Sequence, residues 1–209
     1  MADIGDTAEH ETADHRDEGA RPLVVLVGPP GAGKTTVGLL LAAAYGVGFR
    51  DTDADVAERA GKSIPDLFVD EGEPYFRALE HRAVAEALAG HDGVLALGGG
   101  AILDPATRTL LRGHHVVFLD VDLADAVKRV GLDAPRPLLV GNPRARWREL
   151  MAARRPLYTE VAAVTVNTAG RTPDDVAAEI GAGLDTAPPQ QEQTHQEQTQ
   201  TQPEKDVNR

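Results

Sequence analysis

The segment of this chain whose residue spacing most directly indicates chemistry is glycine-rich and ends in lysine and threonine. Gly28-Pro-Pro-Gly-Ala-Gly-Lys-Thr35 fits the pattern G-x-x-x-x-G-K-[ST], between an apolar run at 23–27 and a helical pattern at 34–45. There the glycines can bring backbone N–H groups against phosphate oxygens, and the helix directs its positive end at the same anion. A glycine-rich turn with a chance Lys-Thr is the alternative, but it does not explain why strand, loop and helix are in register. The segment predicts a nucleotide-phosphate site.

The predicted nucleotide contacts in this segment involve both backbone and side chains. Lys34 can reach the β- and γ-phosphates, and the Thr35 hydroxyl can ligate Mg²⁺. The predicted ATP-binding residues here are Gly31, Ala32, Gly33, Lys34, Thr35 and Thr36.

Three carboxylates, Asp51, Asp53 and Asp55, follow the second predicted strand. If Asp51 ends that strand beside the glycine-rich loop, it lies within reach of a metal held by Thr35. Alternation along an extended segment would then place Asp51 and Asp53 on one side. Phosphoryl transfer needs both a magnesium ligand and a base for the acceptor hydroxyl. The alternative is that these acids only cap a helix at about 54–60, a role that suits Asp53.

A triple glycine, Gly98-Gly99-Gly100, closes the apolar strand predicted at 94–97. Glycines at the carboxyl end of a buried strand allow a ligand to approach the backbone closely. A flexible turn into the next helix is the alternative. No aspartate follows this strand directly, so a second acidic motif is missing there.

Basic residues concentrate between Lys128 and Arg155, where the local charge is +6 in a chain whose net charge is −12. Prolines and glycines break the first part of this stretch into a long loop, typical of a lid, at about 132–146. Guanidinium groups bind phosphates and carboxylates bidentately, which favours functional roles for Arg136 and Arg154. A solvated helix face accounts for the arginines within 144–148.

A helical pattern over 73–89 carries Arg77 and Glu80, three residues apart. That spacing allows the two side chains to pair. From spacing alone, a surface ion pair is as good an interpretation as a functional one.

Taken together, these segments resemble the shikimate kinase family over nearly all of 21–186. The motifs that carry the resemblance are GPPGAGKT at 28–35, DTD at 51–53, GEPYFRALE at 72–80, LGGGA at 97–101, RPLL at 136–139 and R-x-P-L-Y at 154–158. The phosphate loop alone would indicate only a P-loop NTPase. The six motifs together, in this order and spacing, are highly specific for the family. The resemblance implies ATP-dependent phosphorylation of the shikimate 3-hydroxyl, on the route to chorismate and aromatic amino acids.

The resemblance also implies roles for individual residues. Asp53 would position the 3-hydroxyl and accept its proton, with Lys34 and Arg136 as the other catalytic residues. Asp51 would act on Mg²⁺ together with Thr35. The acceptor pocket would be formed by Asp53, Arg77, Glu80, Gly98, Gly99, Gly100 and Arg154, in which the two arginines clamp the carboxylate and Glu80 orients its neighbours. Further ATP contacts would come from Arg129, Arg136, Arg171 and Pro173.

Apolar runs that alternate with helical patterns predict an α/β fold with a parallel sheet covered on both faces. The predicted strands are 23–27, 48–51, 94–97, 115–119 and 163–167. The predicted helices are 34–45, 73–89, 104–112, 122–131, 144–154 and 173–184. The resemblance implies a P-loop kinase with five parallel strands in the order 2-3-1-4-5, plus lid and substrate-binding helices.

Composition narrows the classes of protein that fit. Much of the negative charge lies near the two ends of the chain: residues 1–20 have a net charge of −6, and residues 187–209 have a net charge of −2. The composition of both segments predicts disordered tails. An acidic chain disfavours nucleic-acid binding, and the absence of cysteine excludes disulfides. No apolar run suits a membrane span or a secretory signal, so we expect a cytoplasmic protein. The resemblance suggests a monomer.

Two rival functions share these features. A gluconate-type or other small-metabolite kinase would use the same fold, although Arg77 and Arg154 joined to a triple glycine disfavour it. A nucleotide-binding regulatory module would need no base at Asp53.

Overall fold

The computed structural model of the protein describes residues 21–130 and 143–186, in which five β-strands alternate with eight α-helices. The strands are β1 (Val24–Val27), β2 (Phe49–Asp51), β3 (Val94–Ala96), β4 (Val116–Asp120) and β5 (Val164–Asn167). The helices are α1 (Lys34–Tyr45), α2 (Thr52–Ala60), α3 (Ile64–Asp70), α4 (Glu73–Gly90), α5 (Pro105–Leu110), α6 (Leu123–Val130), α7 (Pro143–Val161) and α8 (Pro173–Thr186). The predicted tails and most of the predicted lid, including Arg136, lie outside the described residues.

The strands form one parallel sheet in the order β2-β3-β1-β4-β5, which confirms the predicted fold. Every residue of the central strand β1 is buried, because helices cover both faces of the sheet. Such a strand has no solvent-facing side and therefore reads as a continuous apolar run, not as an alternating one.

The strand register brings the chemically interesting segments to one edge of the sheet. Ala96 of β3 lies level with Leu26 of β1 on one side and with Asp51 of β2 on the other. The phosphate loop, the triple glycine and the acidic segment therefore leave their strands at the same height. Ligands of open α/β sheets bind at this carboxyl edge.

A second, smaller apolar cluster joins α2, α3 and α4. It consists of Val56, Leu67, Phe76 and Ala83, all buried. This cluster fixes α4, and with it Arg77 and Glu80, against the helix that begins after β2. Helix α3 was not predicted from the sequence, because its seven residues are too few to show a clear helical period.

Helix α7 extends well beyond the predicted end at residue 154, which was placed ahead of Pro156. A proline inside a helix removes one backbone hydrogen bond, yet the helix continues through Val161. The segment after Pro156 packs Leu157, Tyr158 and Val161 against the main core. This burial offsets the local cost of the proline, so the sequence-based boundary was wrong.

Candidate functional site

The phosphate loop between β1 and α1 has the backbone geometry that its glycines predict. Gly33 precedes α1 with φ +94°, a left-handed conformation that side chains other than glycine rarely adopt. A Cβ on Gly28 would collide with the carbonyl oxygen of Leu119 in β4. The Lys34 ammonium donates to the carbonyls of Gly28 (2.9 Å) and Pro29 (3.3 Å), so it lies across the loop.

Asp51 joins the phosphate loop to the acidic segment. Its Oδ2 accepts a hydrogen bond from the Thr35 hydroxyl at 3.2 Å, and its Oδ1 accepts from the backbone N–H of Asp53 at 3.0 Å. Asp51 is therefore the residue that caps α2, and the alternative that assigned this role to Asp53 is wrong. The predicted alternation is also wrong, because Thr52 already begins the helix.

Thr52 is a site residue that the sequence reasoning missed. Its side chain is fully buried, and its hydroxyl oxygen accepts the backbone N–H of Gly98 at 3.0 Å. This bond fastens the start of the triple glycine to the start of α2. Thr52 is the central residue of the Asp-Thr-Asp segment, which could have pointed to it. The alternation pattern instead assigned its side chain to the side opposite Asp51 and Asp53.

The triple glycine is packed closely against neighbouring residues on three sides. A Cβ on Gly98 would collide with the carboxylate of Asp53, and one on Gly100 would collide with the guanidinium of Arg77. A Cβ on Gly99 would lie 3.1 Å from Pro30 Cδ of the phosphate loop. The turn therefore separates the phosphate loop from Asp53 and Arg77 by little more than a backbone.

Two arginines approach this turn from different helices. Arg77 of α4 donates from Nη1 to Glu80 at 2.6 Å and from Nη2 to Glu73 at 3.1 Å. Arg154 of α7 donates from Nη1 to the carbonyl of Gly99 at 3.0 Å. The Arg77–Glu80 pair is not a surface ion pair, because Glu80 is only 3% exposed.

Burial raises the pKa of Glu80 to about 7, and the negative charge of Asp53 adds to this shift. The guanidinium groups of Arg77 and Arg154 act in the opposite direction without cancelling it. Removing a carboxylate from water disfavours its charged form, which is why burial dominates. The proximity of these charges shows that Asp53, Glu80 and the two arginines form one cluster.

The raised pKa of Glu80 predicts a measurable effect of pH on stability. Between the unfolded value, near 4.5, and about 7 the folded state binds more protons, so Glu80 stabilises the fold at low pH and loses this contribution as pH rises. We expect the Glu80→Gln variant to lose less stability than the wild type between pH 5 and pH 8. The difference should reach about 3 kcal/mol at most in urea unfolding experiments.

Glu86→Gln on the same helix is the matched control. Glu86 is exposed, and its hydrogen bond to Arg59 lowers its pKa, so its titration falls below the pH range tested. This variant should follow the wild-type pH dependence. If Glu80→Gln follows it as well, Glu80 is already ionised in the folded protein at pH 5.

Within the described residues, the predicted nucleotide contacts line a single cavity of about 530 Å³ at the carboxyl edge of the sheet. Its lining includes Gly31, Ala32, Gly33, Lys34, Thr35, Thr36, Asp51, Asp53, Gly99, Arg129, Arg171 and Pro173. The phosphate loop, the metal candidates and the candidate base thus face one space.

Thr168 was also missed by the sequence reasoning, and it orients a predicted nucleotide residue. It is 2% exposed and lines the same cavity. Arg129 donates to its hydroxyl oxygen at 3.0 Å and to its carbonyl at 2.6 Å. Arg171 is held by Glu179 of α8 at 2.5 Å and by the carbonyl of Asp175 at 3.0 Å. Arg129 and Arg171 are therefore both held in place where they line the cavity.

Comparison with known proteins gives a consistent set of relatives. A protein-family model described as shikimate kinase matches residues 30–185, a range that contains every predicted site residue. Curated shikimate kinases of Streptomyces avermitilis and Thermobifida fusca are 62% and 57% identical to the chain. The two alignments cover 76% and 80% of this chain, and 93% and 98% of the relatives.

Solved structures show the same likeness in three dimensions. The structure of a shikimate kinase from Acinetobacter baumannii in complex with shikimate matches with a TM-score of 0.75 and 39% identity, covering 80% of this chain and 94% of that chain. A shikimate kinase from Aquifex aeolicus matches with a TM-score of 0.68 and 30% identity, covering 78% and 95%.

Proposed function

The chain belongs to the shikimate kinase family, and we propose how its own residues carry out that family's reaction. The reaction transfers the γ-phosphoryl group of ATP to the 3-hydroxyl of shikimate, giving shikimate 3-phosphate and ADP in chorismate biosynthesis. One observation carries the assignment of residues: Asp53 and Gly99 line the same cavity as the phosphate loop, and the arginine–glutamate cluster adjoins them.

On the acceptor side, Asp53 is the general base. Its carboxylate would accept the proton of the 3-hydroxyl while the hydroxyl oxygen bonds to the γ-phosphorus and the bond to the leaving ADP oxygen breaks. Arg77 and Arg154 would bind the shikimate carboxylate, since two guanidinium groups suit a planar anion. Glu80 would orient Arg77, and the backbone of Gly98 to Gly100 would form the floor of the pocket.

On the donor side, the loop N–H groups and Lys34 would hold the phosphates of ATP. Phosphoryl transfer depends mainly on positioning and charge neutralisation, which this arrangement supplies. Arg129, Arg171 and Pro173 would flank the adenine. Arg136, outside the described residues, is proposed to bring a further positive charge to the phosphates.

The use of ATP by this family implies Mg²⁺, and the available ligands fit this ion. The hydroxyl of Thr35 and the carboxylate of Asp51 are hard oxygen donors 3.2 Å apart beside the phosphate loop. Mg²⁺ is usually held by one or two such side chains together with phosphate oxygens and water. When bound, the ion would neutralise part of the phosphate charge.

We also propose a monomer that acts in the cytoplasm, without nucleic-acid partners, and whose catalytic domain spans 21–186 with tails on either side. The family match over 30–185 supports the domain limits. None of the helices in the described part of the chain is long and apolar enough to cross a membrane. Analytical ultracentrifugation of the full chain tests the oligomeric state.

The function is tested by ADP release in the presence of ATP and Mg²⁺, with shikimate, gluconate or no acceptor. Turnover that depends on shikimate is the expected result. Turnover with gluconate alone would preserve the phosphate chemistry but refute the acceptor pocket. ATP binding without ADP release under any condition would indicate the regulatory module instead.

A further inference from the structure

The Tyr158 hydroxyl is a buried polar group for which the proposed reaction has no assigned role. Its side chain is fully buried, and its ring stacks on Phe118 of β4 with centroids 4.9 Å apart. The ring is therefore anchored by the core of the sheet. The hydroxyl projects from this anchor to the carbonyl oxygen of Gly99, to which it donates at 2.6 Å.

The same carbonyl oxygen also accepts the hydrogen bond from Arg154. Arg154 and Tyr158 lie four residues apart on α7, so they share one face of the helix. A carbonyl oxygen has two lone pairs, so it can accept from both the guanidinium and the phenol. Two side chains of α7 thus converge on one carbonyl oxygen of the triple glycine.

The hydroxyl is a donor throughout the physiological pH range. Burial raises the pKa of Tyr158 to about 12, although the neighbouring Arg154 acts in the opposite direction. The phenol therefore keeps its proton near neutral pH. Protonation near neutral pH leaves the hydroxyl able to donate to the Gly99 carbonyl.

Gly99 also lies against the other half of the site. A Cβ built on it would be 3.1 Å from Pro30 Cδ and 3.4 Å from the carbonyl oxygen of Gly28. The space for this peptide is therefore limited by the phosphate loop on one side and by α7 on the other. A displacement of the Gly99 carbonyl would be transmitted directly to Arg154.

We propose that Tyr158 is a positioning residue for the acceptor. By donating to the Gly99 carbonyl beside Arg154, its hydroxyl holds that guanidinium and the triple-glycine backbone in the geometry that receives the carboxylate of shikimate. This role rests on the proposed acceptor site. Tyr158 does not line the cavity that Asp53 shares with the phosphate loop, so we expect it to act on binding of the acceptor and not on the chemical step.

The Tyr158→Phe variant tests this role, because it keeps the stacked ring and removes only the hydroxyl. We expect KM for shikimate to rise on the order of 3- to 10-fold, with kcat and KM for ATP within about 2-fold of wild type. The methyl ester of shikimate, which lacks the carboxylate charge, provides a second readout. Its KM should be nearly the same for the variant and the wild type, since the lost interaction acts through the carboxylate.

Tyr45→Phe is the matched control. The Tyr45 hydroxyl also donates to a glycine carbonyl, that of Gly181 at 2.9 Å, but between α1 and α8. The Tyr45→Phe substitution should lower the melting temperature of the protein without changing KM for shikimate. If Tyr158→Phe gives the same pattern, its hydroxyl is merely structural and the proposal is overturned. An equal rise in KM for shikimate and for its methyl ester would also overturn it, whereas a wild type inactive with shikimate would refute the acceptor site itself.

Discussion

Replacing Asp53 by asparagine is expected to abolish most phosphoryl transfer while ATP binding stays near its wild-type level. The amide is almost isosteric with the carboxylate but cannot accept the proton of the 3-hydroxyl. Removal of a general base should lower kcat by about 10²–10³ or more. ATP binding should persist because the bonds that hold Lys34 across the phosphate loop, to the carbonyls of Gly28 and Pro29, involve no atom of Asp53. Steady-state turnover and calorimetric titration with ATP measure the two effects separately.

Asp55→Asn is the matched control for that experiment. Asp55 lies two residues further along α2, and its carboxylate pairs with Arg50 at 2.8 Å. The substitution removes the same charge from the same helix at a position that we do not assign to the reaction. Turnover of this variant should stay within a few-fold of wild type. Near-normal turnover of Asp53→Asn would refute its role as the base, whatever the control shows.

The parts of the fold that could be predicted from sequence are those fixed by local patterns. The buried run of β1 and the glycine-rich loop after it determine their own structure, and α1 begins at Lys34 as predicted. Likewise, Thr172 caps α8 ahead of Pro173, a local signature of a helix start. Local patterns do not determine the order of the strands in the sheet, which was predicted only from the family resemblance.

The contacts that escaped prediction join residues far apart in the chain. Thr52 bonds to Gly98 across 46 positions, and Tyr158 bonds to Gly99 across 59. No periodicity in the sequence predicts such long-range hydrogen bonds, because they depend on where the sheet places the triple glycine. The same reason explains the error about α7, whose end is set by packing against the core after Pro156 and not by the proline itself.

The two aspartates show how a pattern of spacing can mislead in detail. Asp51 and Asp53 were both identified as site residues, but alternation was the wrong reason to place them together. Asp51 ends the strand, caps α2 and contacts Thr35, whereas Asp53 faces Gly98 from within the first turn of the helix. Two carboxylates two residues apart therefore have different neighbours, Thr35 for Asp51 and Gly98 for Asp53.

Replacing Arg154 by alanine is expected to weaken shikimate binding far more than ATP binding. Arg154 donates to the Gly99 carbonyl, and its charge also acts on Glu80. We therefore propose that its guanidinium belongs to the acceptor site. Loss of a charged hydrogen bond to a carboxylate should cost about 1.5–3 kcal/mol, or about 10- to 100-fold in kcat/KM for shikimate. KM for ATP should change by less than about 3-fold, as measured by varying each substrate at saturation of the other.

Arg148→Ala on the same helix separates this effect from a general loss of positive charge. Arg148 is exposed on α7, away from the face that Arg154 and Tyr158 share, and its removal should leave both KM values unchanged. Equal losses toward shikimate and ATP in Arg154→Ala would refute the carboxylate clamp. Such a result would instead mean that Arg154 holds the Gly99 turn for both substrates, since this turn also lies against the phosphate loop through Pro30. The ratio of the two losses therefore distinguishes a contact with the acceptor from support of the turn.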